Sequence, residues 1–341
     1  MKTLRILLAA VAVAAAASSL TLGQPPAERP PAPARDPGVP EFDIGTESAT
    51  HKEIEPLAIS FEQLTALRLD GDGNLLACDS LAGKIKRIGP DGKLLSTIEP
   101  GFGPESIDVA ADGTIYCGGK GRLAMLDPGG KVIKTADLPG GVETPLGELR
   151  RGFARPVQLS GIAVTDKHVF VAFGSGWSLG SKSKLFRFDR QLDNPKLLIE
   201  GLRGCCQRCD LIARDGVLYL AENSAHRVVA VDCEGTELGK WGQRSRTELE
   251  GFGSCCNPMN LDFDAAGTLY TAESGLGRVK CYTTDGEFLS LVGYIGVERF
   301  TNAGHLAASC SNIAIAVTPD ASRVYVMDFK ENLIRVLQKK G

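Results

Sequence analysis

Six cysteines occupy three short segments in the second half of the chain. They are Cys205, Cys206, Cys209, Cys255, Cys256 and Cys310. Thiolates are soft ligands for copper(I), zinc or iron–sulfur clusters, and the gap of two residues between Cys206 and Cys209 is common among such ligands. In an oxidising compartment cysteines usually form disulfides instead, and the total of 10 cysteines permits complete pairing. The sequence leaves both chemistries open.

A second set of polar residues stands beside short apolar segments and suits the binding of a ligand or a cation. These candidates are Asp79, Arg208, Asp210, Glu222, His226, Asn260, Glu273, Asn312 and Asp328. Carboxylate and amide oxygens are the ligands that calcium and other hard cations prefer. Four of the acidic residues recur at one position of a repeat, which favours a structural role for them. The sequence assigns no catalytic residue, because no nucleophile elbow, phosphate loop or dinucleotide fingerprint stands in a convincing context.

The elements that must position these residues are short strands joined by turns. A unit of apolar strand, Asp-Gly turn and further strands recurs six times along the chain. The first turns of the six units fall near Gly73, Gly113, Asp166, Gly216, Gly267 and Asp320. A period of roughly 40 to 54 residues is typical of propeller blades. One four-stranded sheet cannot bury both of its faces, whereas radial stacking of six sheets can. We therefore predict an all-β fold, a six-bladed β-propeller with four-stranded antiparallel blades.

The sixth unit ends after its third strand, so the ring needs a strand from elsewhere. Residues 55–61, EPLAISF, precede the first unit and have the alternating character of a strand. We expect the N-terminal strand to close the propeller, with residues 53–62 pairing with residues 333–337. An unpaired edge in the sixth blade would otherwise be open to association with other chains.

The repeated unit has a recognisable motif. Its pattern, DG-x-LY-x-A-E/D followed by R-V and a second Asp-Gly turn, is best preserved in DGVLYLAE at 215–222 and GTLYTAE at 267–273. This unit resembles the NHL repeat, and the chain is similar to a cysteine-rich, exported bacterial-type member of that family. The resemblance covers all six units and implies the propeller fold. It does not fix a function, because similar propellers include lactonases, amidating lyases, quinoprotein-like enzymes and binding modules.

The predicted topology brings the candidate residues together. In a propeller, the inner strands begin at one face of the ring, and the loops between second and third strands lie at that same face. The cysteine groups immediately precede the inner strands of blades four, five and six. We therefore expect the six cysteines to meet at the rim of the central channel, with Asp210, Asn260 and Asn312 at equivalent places beside them.

The face of the ring where the inner strands begin is called the top face. The function predicted from this arrangement is binding of a protein or a small-molecule ligand there. Two alternatives stay open. One is a metal-dependent hydrolase or lyase of lactonase type, with its site in the central channel. The other is a thiolate metal-binding or redox protein that uses the rim cysteines. The implied cofactor is accordingly a thiolate-bound metal or a divalent cation in the channel, and the sequence does not decide whether the protein is an enzyme.

The first residues predict export. Lys2 and Arg5 precede an apolar run at 7–17, the pattern of a signal peptide. We predict a signal peptide at 1–23, a Pro-rich tether at 24–45 and the propeller at 46–341, in a periplasmic or extracellular protein without a membrane span after cleavage. The net charge of −3, without long charge runs, argues against nucleic-acid binding. We expect a monomer.

Overall fold

The computed structural model describes residues 48–139, 158–174, 183–205, 208–245, 248–253, 256–275, 277–296 and 312–341. The predicted signal peptide and tether lie outside these residues. Cys206, Cys255 and Cys310 lie outside them as well.

The described residues form 24 strands in six antiparallel sheets of four strands each. The inner strands are β2 (Leu64–Leu69), β6 (Ser106–Val109), β10 (Gln158–Val164), β14 (Leu211–Arg214), β18 (Asn260–Phe263) and β22 (Ile315–Val317). The second strands are β3 (Leu75–Asp79), β7 (Ile115–Gly119), β11 (His168–Gly174), β15 (Val217–Glu222), β19 (Leu269–Glu273) and β23 (Arg323–Asp328). The third strands are β4 (Lys84–Ile88), β8 (Arg122–Leu126), β12 (Ser183–Asp189), β16 (Arg227–Asp232), β20 (Arg278–Tyr282) and β24 (Leu333–Lys339). The outer strands are β5 (Leu94–Ile98), β9 (Val132–Asp137), β13 (Lys196–Leu202), β17 (Glu237–Trp241), β21 (Phe288–Tyr294) and β1 (His51–Ile54). The predicted six-bladed propeller is confirmed.

The turn between the first two strands of a blade follows from its Asp-x-x-Gly sequence. In blade one, the Asp70 carboxylate accepts the N–H groups of Asp72 at 3.1 Å and Asn74 at 2.8 Å. Gly73 closes the turn with a φ of 79°, a left-handed conformation that glycine adopts without a steric penalty. The turn therefore fixes the register of the β2–β3 hairpin, in which Leu69 lies opposite Leu75.

The hydrophobic core lies between the blades. Cys78 on β3 and Cys117 on β7 belong to one buried cluster that joins blades one and two, together with Leu76 and Ile115. Each of these four side chains is no more than 1% exposed. Because the faces of neighbouring blades bury each other, the ring is the stable unit rather than the single sheet.

Closure by an N-terminal strand is also confirmed. β1 pairs with β24 as the outer strand of blade six, with His51 opposite Lys339 and Ile54 opposite Val336. The segment at 55–61 that the sequence favoured lies just after this strand instead. The strand ends at Ile54 because Pro56 has no N–H to donate to the ladder. One further backbone bond continues the contact, from Leu57 N to Ile334 O at 2.9 Å.

Among the described residues, no helix has the length and hydrophobicity that crossing a bilayer requires.

Candidate functional site

A polar pocket opens at the end of the channel where the inner strands begin. It is a partly open space of about 500 Å³ that includes open solvent, and the volume within it that water-sized groups can occupy is about 30 Å³. Each blade contributes at least one polar residue to its lining, among them, in chain order, Thr65, Glu105, Ser160, Asp210, Asn260 and Asn312. Arg208 adds a guanidinium to the same wall. The pocket therefore collects charged and hydrogen-bonding groups that are far apart in the sequence.

Asp210 is the best-oriented carboxyl group of this pocket. It immediately precedes β14, and its Oδ2 accepts hydrogen bonds from Asn260 Nδ2 and Leu261 N, both at 2.8 Å. Burial raises the pKa of Asp210 to about 7, although the Leu261 N–H and the positive charge of Arg68 act in the opposite direction. A carboxyl with this pKa can accept or donate a proton near neutral pH.

Two amides continue the wall from blade four to blade one. Asn260 donates to Asp210 and accepts the N–H of Ile315 through Oδ1 at 2.7 Å, so it ties blade five to both neighbours. Asn312 Nδ2 donates to Thr65 O at 3.1 Å and ties blade six to blade one. These bonds orient both amides, which explains why Asn occurs at the start of an inner strand.

Glu105 is a pocket residue that the sequence reasoning missed. Glu105 precedes β6 in the way that Asp210 precedes β14. The sequence comparison of inner-strand starts covers only blades four to six and therefore does not include it. Glu105 Oε2 accepts Leu159 N at 3.0 Å. Burial raises the pKa of Glu105, while that N–H and the positive charge of Arg208 partly oppose the rise.

Arg68, which lines the pocket, belongs to an ion-pair cluster that the sequence did not reveal. Arg68 on β2 lies with Nε 2.6 Å from Asp108 Oδ1 on β6 and with Nη1 2.8 Å from Asp262 Oδ1 on β18. Asp108 Oδ2 also accepts Val164 N at 2.8 Å. A basic residue in one blade and acidic residues in two others carry no local sequence signal, because only the closed ring brings them together.

The repeated acidic residues at the ends of the second strands lie outside the pocket lining. Asp79 illustrates their role, since it accepts Gln63 N at 2.8 Å and pairs with Lys86 at 2.9 Å. The corresponding pairs in other blades are Glu222 with Arg227, Glu273 with Arg278, and Asp328 with Arg335. Each carboxylate binds a cation on the next strand of its own blade. His226, 8% exposed at φ 55°, follows a 3-10 turn at Asn223–Ala225 and does not line the pocket either.

In blade five, the acidic residue of this pattern pairs with a second cation, the buried side chain of Lys280. Lys280 Nζ lies 2.9 Å from Glu273 Oε1 and donates to the carbonyl oxygens of Leu249 at 2.9 Å and Gly251 at 2.7 Å. Burial lowers the pKa of Lys280 to about 8, and Glu273 limits that fall. This lysine therefore fixes the segment before β18 against its own blade.

The described rim cysteines are buried or nearly so. Cys209 and Cys256 are fully buried, and Cys205 packs against the cluster that contains Cys256 and Met259. Burial raises the pKa of the Cys209 thiol well above its usual value. No two of the described cysteines lie at disulfide distance. The predicted pairing of rim sulfurs stays a prediction, because Cys206, Cys255 and Cys310 lie outside the described residues.

The pocket donors do not fit a resident metal ion. The part of the chain that the structure describes contains no group of three or more His, Cys, Asp or Glu side chains placed around one centre. Asp210 Oδ2 and Asn260 Oδ1 already accept N–H groups, and the Arg208 guanidinium on the same wall repels cations.

Comparison with known proteins shows the fold and no family. No family model and no curated protein matches the chain, so the NHL-repeat resemblance stays an interpretation. A gluconolactonase from Xanthomonas campestris superposes with a TM-score of 0.58 at 11% identity, over 87% of this chain and 92% of that one. Regucalcin from Agrobacterium tumefaciens, a calcium-binding protein, gives 0.53 at 15% identity over 86% and 95%. A streptogramin B lyase gives 0.51 at 12% identity over 85% and 97%.

Proposed function

We propose that this protein binds a small, oxygen-rich molecule in the pocket at the channel mouth and cleaves an ester or lactone bond in it. The observation that carries this proposal is the convergence of polar residues from all six blades, with Arg208, on a single partly open space. Binding at the top face alone, the function that the sequence favoured, explains the polar lining. It does not explain why a carboxyl that titrates near neutral pH is fixed there.

In this mechanism Asp210 transfers the proton. The ionised carboxylate accepts a proton from water while the water oxygen attacks the carbonyl carbon of the bound ester. The protonated Asp210 then donates the proton to the leaving alkoxide oxygen as its bond to that carbon breaks. Asn260 and Leu261 hold the carboxyl in place through Oδ2 during both transfers.

Arg208 stabilises the negative charge that develops on the carbonyl oxygen. A guanidinium on the wall of a partly enclosed pocket interacts strongly with such an oxyanion, because little water screens it. Glu105 lines the same pocket, and the positive charge of Arg208 favours its ionised form against the effect of burial.

The fold neighbours support the chemistry only at the level of the scaffold. A gluconolactonase and a streptogramin B lyase are built on similar propellers. Their identities of 11% and 12% to this chain transfer no residue role. The assignment of Asp210 and Arg208 therefore rests on the contacts within this chain.

The test is hydrolysis of a panel of small lactones and aryl esters by the wild-type protein and by Asp210→Asn. Asparagine keeps an oxygen that can accept from Leu261 but cannot carry the proton. We expect kcat to fall by roughly 10²- to 10⁴-fold, with unchanged circular dichroism. The matched control is Asp215→Asn, at an exposed carboxyl of the same blade, which should leave kcat unchanged.

Two results would count against the proposal. Full activity in Asp210→Asn would remove Asp210 from the mechanism. Saturable binding of lactones without turnover by the wild-type protein would identify a binding module instead.

A further inference from the structure

Arg68 contacts two other blades of the ring with one side chain. Its side chain is 15% exposed, and its guanidinium binds Asp108 on blade two and Asp262 on blade five. Asp262 in turn accepts Val317 N from blade six at 2.7 Å. A planar guanidinium suits this task, because its donors can bind two carboxylates in different directions at once.

Three consecutive residues of β18 contact either Asp210 or Arg68. Asn260 and Leu261 donate to Asp210, and the next residue, Asp262, binds Arg68. The position of β18 is thus fixed between a carboxyl in blade four and a cation in blade one. A movement of Arg68 would be transmitted to Asp210 through one short stretch of backbone.

The charges around Asp210 also come mainly from this cluster. Arg68 faces it as a cation and Asp262 as an anion. Arg208 and Glu105 line the same pocket, and the buried Cys209 thiol precedes Asp210 in the chain. Asp108 pairs with Nε of Arg68.

We propose that Arg68 is a positioning residue for Asp210: through its ion pair with Asp262 it holds β18, the strand whose Asn260 and Leu261 orient the Asp210 carboxyl. Its positive charge also faces that carboxyl. The role in catalysis rests on the proposed function, whereas the action of Arg68 on Asp210 does not.

The experiment follows the carboxyl carbon of Asp210 by ¹³C NMR in protein labelled at aspartate, assigned with Asp210→Asn. Arg68→Met removes the cation. We expect the titration midpoint of Asp210 to rise by about one pH unit. Asp262→Asn removes the opposing anion and should lower the midpoint by a similar amount. Arg68→Lys restores the charge and should bring the midpoint back to within about half a unit of wild type.

The direction of the shift separates this role from a merely structural one. Loosening of the ring would admit water to Asp210 and lower the midpoint in Arg68→Met. The control is Arg87→Met, which removes an arginine of similar exposure that pairs with Asp70 away from the channel. It should leave Asp210 unchanged. If Arg68→Met does not fold, Arg68→Met with Asp108→Asn removes the cation and one of its carboxylates, and the midpoint should still rise.

A fall or no change of the midpoint in the folded Arg68 variants overturns the inference. The activity measurement is independent of this result. If the midpoints shift as expected while no ester or lactone is cleaved, the proposed function fails and the action of Arg68 on Asp210 stands. If the protein is active, the pH profile of kcat should shift with the NMR midpoint, and KM should change less than about twofold.

Discussion

Arg68 and Asp262 lie on blades one and five, which are not neighbours in the ring, yet Arg68 Nη1 is 2.8 Å from Asp262 Oδ1. Blade six, between them, is reached through the second oxygen of Asp262, which accepts Val317 N. Side-chain bonds therefore hold these blades together, in addition to the packing of the blade faces. The pocket has a defined shape because its walls are connected across the axis.

Asp210→Asn should change how stability depends on pH. Because burial raises the pKa of Asp210 to about 7, the folded protein holds a proton that the unfolded chain releases between about pH 4 and pH 7. Stability is therefore lost as the pH rises through this window. Between pH 5 and pH 7, the free energy of unfolding of the variant should rise relative to that of wild type by up to about 1.4 kcal/mol per pH unit. Urea unfolding at several pH values measures this, and parallel curves would contradict it.

His51 should make closure of the ring sensitive to acid. Its Nε2 lies 2.9 Å from Ala321 O, and burial lowers its pKa from 6.5. Below about pH 6.5 the unfolded chain binds a proton at His51 more readily than the folded protein does. The free energy of unfolding therefore decreases as the pH is lowered. His51→Gln can still donate to Ala321 but does not titrate, and it should flatten the stability curve between pH 5 and 6.5. The control Lys52→Gln, at the exposed neighbour, should keep the wild-type slope.

Lys280→Met should destabilise the protein strongly. It leaves the carbonyl oxygens of Leu249 and Gly251 without this donor and removes one of the two cations beside Glu273. We expect a loss of about 3 kcal/mol in the free energy of unfolding. The control Lys240→Met breaks an exposed pair with Glu237 and should have no measurable effect. Equal midpoints for the two variants in urea would show that the buried site does not stabilise the fold.

Three thiols should resist alkylation in the native state. Cys78, Cys117 and Cys209 are at most 1% exposed, and burial raises their pKa values, which disfavours the reactive thiolate. Maleimide labelling at pH 8, read by mass spectrometry, should leave them unmodified until urea is added. Cys233, which is partly exposed, provides the internal comparison. Labelling of Cys117 as fast as Cys233 in native protein would contradict the packing between blades one and two.

The fold was predictable because its signals are local and repeated. Asp-x-x-Gly turns such as Asp70 to Gly73 recur at a blade-sized period, and the missing strand of blade six implied closure. The pocket was only partly predictable. Asp210, Asn260 and Asn312 lie at or just before the starts of the inner strands of blades four to six and were found by alignment, with Arg208 close by. Glu105 was missed because the aligned strand starts were those of blades four to six, and Arg68 because its role depends on contacts across the ring. Export and the pairing of the rim cysteines stay predictions.

The pairing of β1 with β24 also determines when blade six can form during synthesis of the chain. During synthesis β1 emerges from the ribosome first among the described strands and β24 emerges last, so blade six cannot be completed until translation has passed residue 339. An interrupted chain retains a sheet with an unpaired edge, the kind of surface on which misassembly begins. Closure of the ring therefore depends on the two described strands that are synthesised furthest apart in time.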